Sequence, residues 1–293
     1  MSKLKEIRKR IASIKNTRQV TSAMKMVSAA KLKKAQDRIL QIAPYDKKLH
    51  EIVQSLSLEE PDPDIRYFVQ PDIKNVLIVV VGSNQGLCGG FNSNVVKKSI
   101  VHTLNQYDEL LKSGNVCFIP IGRQVEKGLK SQEAVFEGEE NQLISDIKYG
   151  DVTLFAQKLM QLFTEGKYQR IDIVYNRFKN AAVQELIADQ YLPVSKPSIP
   201  KDSSFNPSNY IFEPSKKDIL ESLIPQWLVM HLFRILLDSN TAEQGARMTA
   251  MHQATDHATE LLKDLRITYN NARQSAITNE IVEITAGAEA LKG

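Results

Sequence analysis

Glycine is absent from the first 81 residues. Of the thirteen glycines in 293 residues, ten fall between Gly82 and Gly166, and only Gly245, Gly287 and Gly293 follow. Glycine weakens a helix more than any residue but proline. The distribution therefore predicts two long helical ends around a middle of strands and turns.

The first end, residues 1–58, reads as one amphipathic helix. Leu4, Ile7, Ile11 and Ile14 step by three, four and three, a helical period. The stripe is expected to continue through Val20, Met24, Val27 and Ala30, then Ile39, Ile42, Leu49, Val53 and Leu56. Pro44 marks a kink or a break. Pro61, Pro63 and Pro71 make residues 59–74 a linker.

Residues 75–192 read as an α/β, Rossmann-like domain. Asn75–Val81 is a continuous β-branched run, the mark of a strand buried on both faces. A glycine-rich turn, Gly82–Gly90, leads into a helix from about Asn92 to Leu111. Val116–Ile121 reads as a strand, Asp151–Phe163 as a helix, and Arg170–Tyr175 and Ala182–Leu192 as two more strands. Strands alternating with helices imply a parallel or mixed sheet with helices on its faces. Five prolines make 193–216 an extended connector. Residues 217–293 then read as one helix, of ~105 Å over its continuous stretch Lys217–Ala288 at 1.5 Å per residue. Ala242, Ala246, Ala250, Ala254 and Ala258 form a small-residue seam, continued by Leu261/Leu262, Leu265, Tyr269, Ala272 and Ala276. A helix this long needs a partner. The economical one is the N-terminal helix, so the fold class is α/β plus a long antiparallel coiled coil of the two ends.

Composition narrows the function. With 42% hydrophobic and 25% charged residues, disorder and a membrane-embedded chain are both disfavoured. Val76–Val81 is the longest apolar run, and Trp227–Leu237 is broken by His231 and Arg234. No run is expected to reach the ~18 residues of a spanning helix, and the basic N-terminus lacks the apolar core of a secretory signal. Cys88 and Cys117, with no CxxC spacing, read as free thiols in a reducing compartment. The net charge of +4 conceals a split: residues 1–38 carry twelve Lys/Arg against Glu6 and Asp37, and the remainder is net −6. Such a block meets an acidic partner. Nucleic acid is one candidate, and a basic coiled-coil nucleic-acid-binding protein is the alternative reading. Yet no aromatic residue precedes Tyr45 to stack on bases.

Catalytic signatures are missing. The spacing G-x-x-x-G-x-x-G-G in Gly82–Gly90 is neither a dinucleotide nor a Walker pattern, so a tight strand-to-helix turn is favoured over a phosphate cradle. His252 and His257 are five apart, not the four of a metal-binding helix face. The expectation is no catalytic residue, no cofactor and no metal site.

Two stretches are recognisable. Ile11-Ala-Ser-Ile-Lys-Asn-Thr-Arg-Gln-Val-Thr-Ser-Ala-Met-Lys-Met-Val-Ser-Ala-Ala-Lys31 and Tyr269-Asn-Asn-Ala-Arg-Gln-Ser-Ala-Ile-Thr-Asn-Glu-Ile-Val-Glu-Ile-Thr-Ala-Gly-Ala-Glu-Ala-Leu291 closely resemble the gamma subunits of rotary proton-translocating F-type ATP synthases, as does Gly86-Leu-Cys-Gly-Gly-Phe-Asn92. The resemblance implies a non-catalytic central shaft, one copy per complex, inside three alpha and three beta subunits. It implies further contacts with the epsilon subunit and the membrane proteolipid ring, and a peripheral place on the cytoplasmic face of the inner membrane. By motif, Arg273, Gln274, Thr278 and Glu280 would contact a beta subunit. Met24 and Lys25 would face the acidic lever of beta, so that the basic block meets protein and not nucleic acid. Ile281, Val282, Ile284 and Ala288 would fill an apolar bearing. Where the family often has an acidic and a basic residue before Gly86, this chain has Asn84-Gln85.

Overall fold

The computed structural model describes residues 2–56, 66–69, 71–194, 213 and 215–290. Leu58, half of the linker 59–74 and most of the Pro-rich connector lie outside them. The chain divides into two compact units. One comprises Met1–Ser28 with Met248–Gly293, the other Ala29–Arg247.

The larger unit is built on a four-stranded mixed sheet in the order β2-β1-β3-β4. The strands are β1 (Val76–Val81), β2 (Val116–Ile121), β3 (Arg170–Phe178) and β4 (Gln184–Leu192). β1 pairs in parallel with β2, Val79 opposite Ile119, and with β3, Val79 opposite Ile173. β4 runs antiparallel to β3, with Val174 opposite Ala188. Every residue of β1 is buried, because both faces of the sheet are covered. Alternation sorts its side chains. Leu77, Val79 and Val81 face one core with Ile171 and Ile173. Val76, Ile78 and Val80 face the other with Phe118 and Val174.

Helices α2 (Phe91–Lys112) and α3 (Arg123–Lys130) cover the second face through Val95, Val96, Val125 and Leu129. The sequence reading missed α3, which is only eight residues long. Gly122 precedes it at φ 116, and a Cβ there would sit 2.9 Å from the Ser83 backbone, so only glycine fits. The first face is covered by α4 (Tyr149–Thr164) and by the early turns of α5 (Lys216–Ala290), whose Ile224, Leu228, Leu232 and Leu236 are at most 0% exposed. Leu49 and Val53 of α1 (Ser2–Leu56) join this core.

Of the kink or break expected at Pro44, the break is ruled out, since α1 runs helical through it. One expectation is corrected. An 18-residue stretch of α5 has mean hydropathy 1.3, long and apolar enough to cross a bilayer, although no run was expected to reach that length; half of it is buried within the fold.

In the smaller unit, α1 and α5 are antiparallel. Arg8 Nη2 donates to the Tyr269 hydroxyl at 2.8 Å, and the Thr255 hydroxyl donates to Thr21 Oγ1 at 2.9 Å. Positions rise along one helix as they fall along the other. Shielded residues of α1 here include Ile7, Ile11, Ile14, Arg18, Thr21, Lys25 and Ser28, in alternating steps of four and three, with Leu4, Ser22 and Met24 partly buried beside them. On α5 the same register runs through Met251, Thr255, Ala258, Leu262, Leu265, Tyr269, Ala272 and Ala276, with Met248, Thr249, Ala250 and Ala254 partly buried beside it. Both follow the heptad of a left-handed coiled coil. Val20 and Val27, expected in the seam, are 57% and 55% exposed, and Ala30 of the neighbouring turn is also exposed. Register wins over hydrophobicity: Thr21 at 8% and Ser28 at 2% exposed take the inward positions.

Candidate functional site

Four places concentrate polar or unpartnered groups. The first is the far end of α5 in the smaller unit. Arg273, Gln274, Thr278 and Glu280 are all exposed. The Thr278 hydroxyl donates to the Gln274 carbonyl at 3.0 Å, which leaves both side-chain faces to solvent. Ile281, Val282 and Ile284 are 56%, 57% and 69% exposed, and Ala288 is exposed too. Met24 and Lys25 are half-buried, with Lys25 in the seam register. Thr21 is level with Thr255, so Arg273 lies ~27 Å further along α5. The structure thus holds the two groups of expected contact residues apart, as separate patches.

The second place is the glycine turn of the larger unit. The Ser83 N–H donates to Asn92 Oδ1 at 2.9 Å, and Asn92 Nδ2 donates to Ser83 Oγ and Cys88 Sγ. Arg247 of α5 donates to the carbonyls of Gln85 and Gly86 at 3.0 and 3.3 Å and to Glu243 Oε1 at 2.6 Å. The turn is therefore closed on itself and tied to α5. At the Asn84-Gln85 positions, the Asn84 amide donates to the Asn141 carbonyl and the Ser145 hydroxyl. Burial raises the Glu243 carboxyl above its ordinary range more than Arg247 lowers it. Burial likewise raises the Cys88 thiol, which leaves it a poor nucleophile. Cys117 is only partly buried.

The third is a buried polar group where α1 meets α5 in the larger unit. Asp46, 2% exposed, accepts from Arg234. His50 stacks on Trp227, and Trp227 on His231, each pair at 5.3 Å between ring centroids. Removal from water lowers the His231 imidazole to about 4 against the pull of Asp46. Burial raises the neighbouring Asp238 carboxyl to about 6 against Arg234. The two titrations oppose each other. Below about pH 6.5 the unfolded chain binds the extra proton at His231, so stability falls on acidification. Asp238 keeps its proton longer when folded, so its share of stability is full below about pH 3.8 and fades as pH rises through about 6. Asp238→Asn removes the compensating half. The urea midpoint of that variant is expected to drop further between pH 7 and pH 5 than that of the parent chain; an equal or smaller drop would refute the balance.

On the opposite face of the sheet, Asp172 is 0% exposed and accepts from His102 Nε2 at 2.8 Å, the Tyr107 hydroxyl at 2.7 Å and Arg170 Nε at 2.8 Å. Burial pushes its carboxyl up, but the bonds from His102 and Tyr107 and the Arg170 charge outweigh burial and hold it below the ordinary range. Tyr107 breaks helical geometry at φ −139 to reach it. All its partners are satisfied inside the fold, the pattern of a structural charge.

Residues 3–291 match the family model described as ATP synthase. The protein named ATP synthase gamma chain of Christiangramia forsetii is 46% identical over 295 residues, covering 100% of both chains. That of Flavobacterium psychrophilum is 46% identical over 294 residues with the same coverage. A chain in the Euglena gracilis mitochondrial ATP synthase, solved with OSCP, F1 and c-ring in rotational state 3, superposes with TM-score 0.71 at 20% identity, covering 99% of this chain and 95% of that one. At that identity the likeness concerns fold alone.

Proposed function

Because the chain belongs to the ATP synthase gamma-chain family, we propose that it is the central rotor shaft of an F-type ATP synthase, transmitting rotation driven by the proton gradient to catalytic beta subunits. The observation that carries this reading is the bare end of α5. From Ile277 to Ala290 every residue is exposed, and Ile277, Ile281, Val282 and Ile284 are left without a partner helix among the described residues. Large apolar side chains grouped like this call for a cover. A surrounding sleeve of three alpha and three beta subunits provides one.

The shaft itself does no bond chemistry in this reading; catalysis belongs to the beta subunits. It acts by offering each of them a different face as it turns. Such a signal works only through contacts that differ between open and closed states. Arg273, Gln274, Thr278 and Glu280 are the contacts assigned to one beta subunit, and Met24 and Lys25 to its acidic lever. Ile281, Val282, Ile284 and Ala288 form the bearing. The mixed sheet and its helices make the foot, joined by the epsilon subunit and seated on the proteolipid ring at the cytoplasmic face of the inner membrane. The basic block of α1 then meets acidic protein. Affinity purification of the tagged chain from detergent-solubilised membranes is expected to bring down alpha, beta, epsilon and proteolipid subunits with one shaft per complex. Recovery of the chain without them would overturn the assignment.

A further inference from the structure

A cleft of roughly 710 Å³ lies between α2 and α3 on the second face of the sheet, within the larger unit. The two helices touch where Gly128 lies against Val96, and a Cβ on Gly128 would stand 3.0 Å from a Val96 methyl. Lys97 follows Val96 on one wall and Lys127 precedes Gly128 on the other, so each wall carries a cation at the same height. Both lysines are exposed, and neither has an ion pair among the described residues. Lys112 of α2 and Lys130 of α3, outside the cleft, are paired with Asp108 and Glu126. Among the described residues no carboxylate lines the cleft. One turn further along α2, Ile100 and Val101 make an apolar wall, with Val101 42% exposed. On the upper rim Leu87 is 65% exposed and held at φ 61, a backbone region where a bulky side chain is rare.

We propose that this cleft binds a fatty acid, its carboxylate between Lys97 and Lys127 and its chain along Val96, Ile100 and Val101. The size points to a small molecule. Ligand pockets span about 300–1,000 Å³, whereas a protein partner covers ~800 Å² through about 20–30 residues, more than these two short walls offer. The charge points to an anion, since two unpaired cations face a cleft without carboxylates. Both lysines lie outside the basic block of residues 1–38. The apolar wall points to a tail, because Val101 and Leu87 are exposed apolar groups that a hydrocarbon chain would take out of water. Free phosphate would engage the lysines and leave that wall bare. A nucleotide base would find no aromatic side chain in the lining to stack on.

Equilibrium dialysis of the full chain against labelled dodecanoate, below its micelle concentration and at constant ionic strength, tests the site. Lys97→Gln with Lys127→Gln is the reference, because uptake elsewhere on the chain does not depend on these lysines. The difference between parent and reference is expected to saturate at one dodecanoate per chain, with the site weakened at least tenfold in the reference. Dodecanol keeps the chain without the charge and is expected to bind parent and reference alike. Acetate keeps the charge without the chain and should displace labelled dodecanoate only at concentrations at least a hundredfold higher than dodecanoate itself. Val101→Asp, at an exposed position of the apolar wall, should weaken the site at least tenfold. Lys112→Gln with Lys130→Gln removes the same charge from the same two helices, at lysines already paired, and is expected to leave binding unchanged. No difference between parent and reference, an equal loss in the control pair, the same lysine dependence for dodecanol, or acetate competing as well as dodecanoate would each overturn the proposal. Sedimentation with phosphatidylglycerol vesicles that depends on Lys97 and Lys127, without lysine-dependent uptake of dodecanoate, would overturn it in favour of a membrane surface. Should Val101→Asp fail to fold by circular dichroism, the lysine variants and the dodecanol and acetate comparisons still decide.

Discussion

Replacing Arg273 and Gln274 together by alanine is expected to lower proton-driven ATP synthesis in reconstituted vesicles about tenfold while the circular dichroism of the shaft stays unchanged. Both side chains are exposed, and among the described residues neither makes a hydrogen bond or ion pair with another side chain. Their loss therefore costs the isolated fold nothing that can be named. What they can lose is a partner. A charge-assisted hydrogen bond is worth ~1.5–3 kcal/mol, and each ~1.4 kcal/mol is tenfold in rate when the contact is made only at the driving position. The double change is therefore a specific probe of torque transfer. Ser275→Ala supplies the control, because the Ser275 hydroxyl already donates to the Asn271 carbonyl of its own helix at 3.0 Å. Full ATP synthesis by the double variant would remove Arg273 and Gln274 from the contact.

Much of the architecture was readable because backbone economy leaves strong marks. The lack of glycine before Gly82 announces α1, and Val76–Val81 announces a strand with both faces covered. Ala258, Leu262, Leu265, Tyr269, Ala272 and Ala276 fall in the seam as their spacing predicts. The reading failed where hydrophobicity and register disagree. Following apolar residues placed Val20 and Val27 inside, whereas a strict three-four step from Ile14 leads to Arg18, Thr21, Lys25 and Ser28. The helix cannot change phase to bury two valines without losing every contact before and after them. Charged residues at inward positions were a signal left unused. Asp46 continues the same step in α1 and finds Arg234, and Glu243 with Arg247, four apart, form a buried pair. Partners such as Asp46 and Arg234, or Arg247 and Gln85, are distant in sequence, and no local pattern joins them.

Arg247→Ala is expected to be the most damaging single change in the larger unit, by ~3–5 kcal/mol. Arg247 is 5% exposed and Glu243 6%. Removing one member of a buried pair strands the other as an uncompensated charge. Here the loss also frees the Gln85 and Gly86 carbonyls, so the glycine turn loses its tie to α5. Two further measurements separate charge from packing. Glu243 is already raised by burial with Arg247 present; without it the folded carboxyl holds its proton further above the unfolded value. Stability from that source is present below the unfolded carboxyl pKa and is lost as pH rises. The deficit of Arg247→Ala should therefore shrink as pH is lowered from 7 to 5, read as the difference in urea midpoint from the parent chain. Adding Glu243→Gln should restore part of the stability at pH 7, since it removes the stranded charge while keeping the shape. A deficit that is independent of pH and unrelieved by Glu243→Gln would mean that Arg247 works by filling space and holding the turn, with its ion pair contributing little.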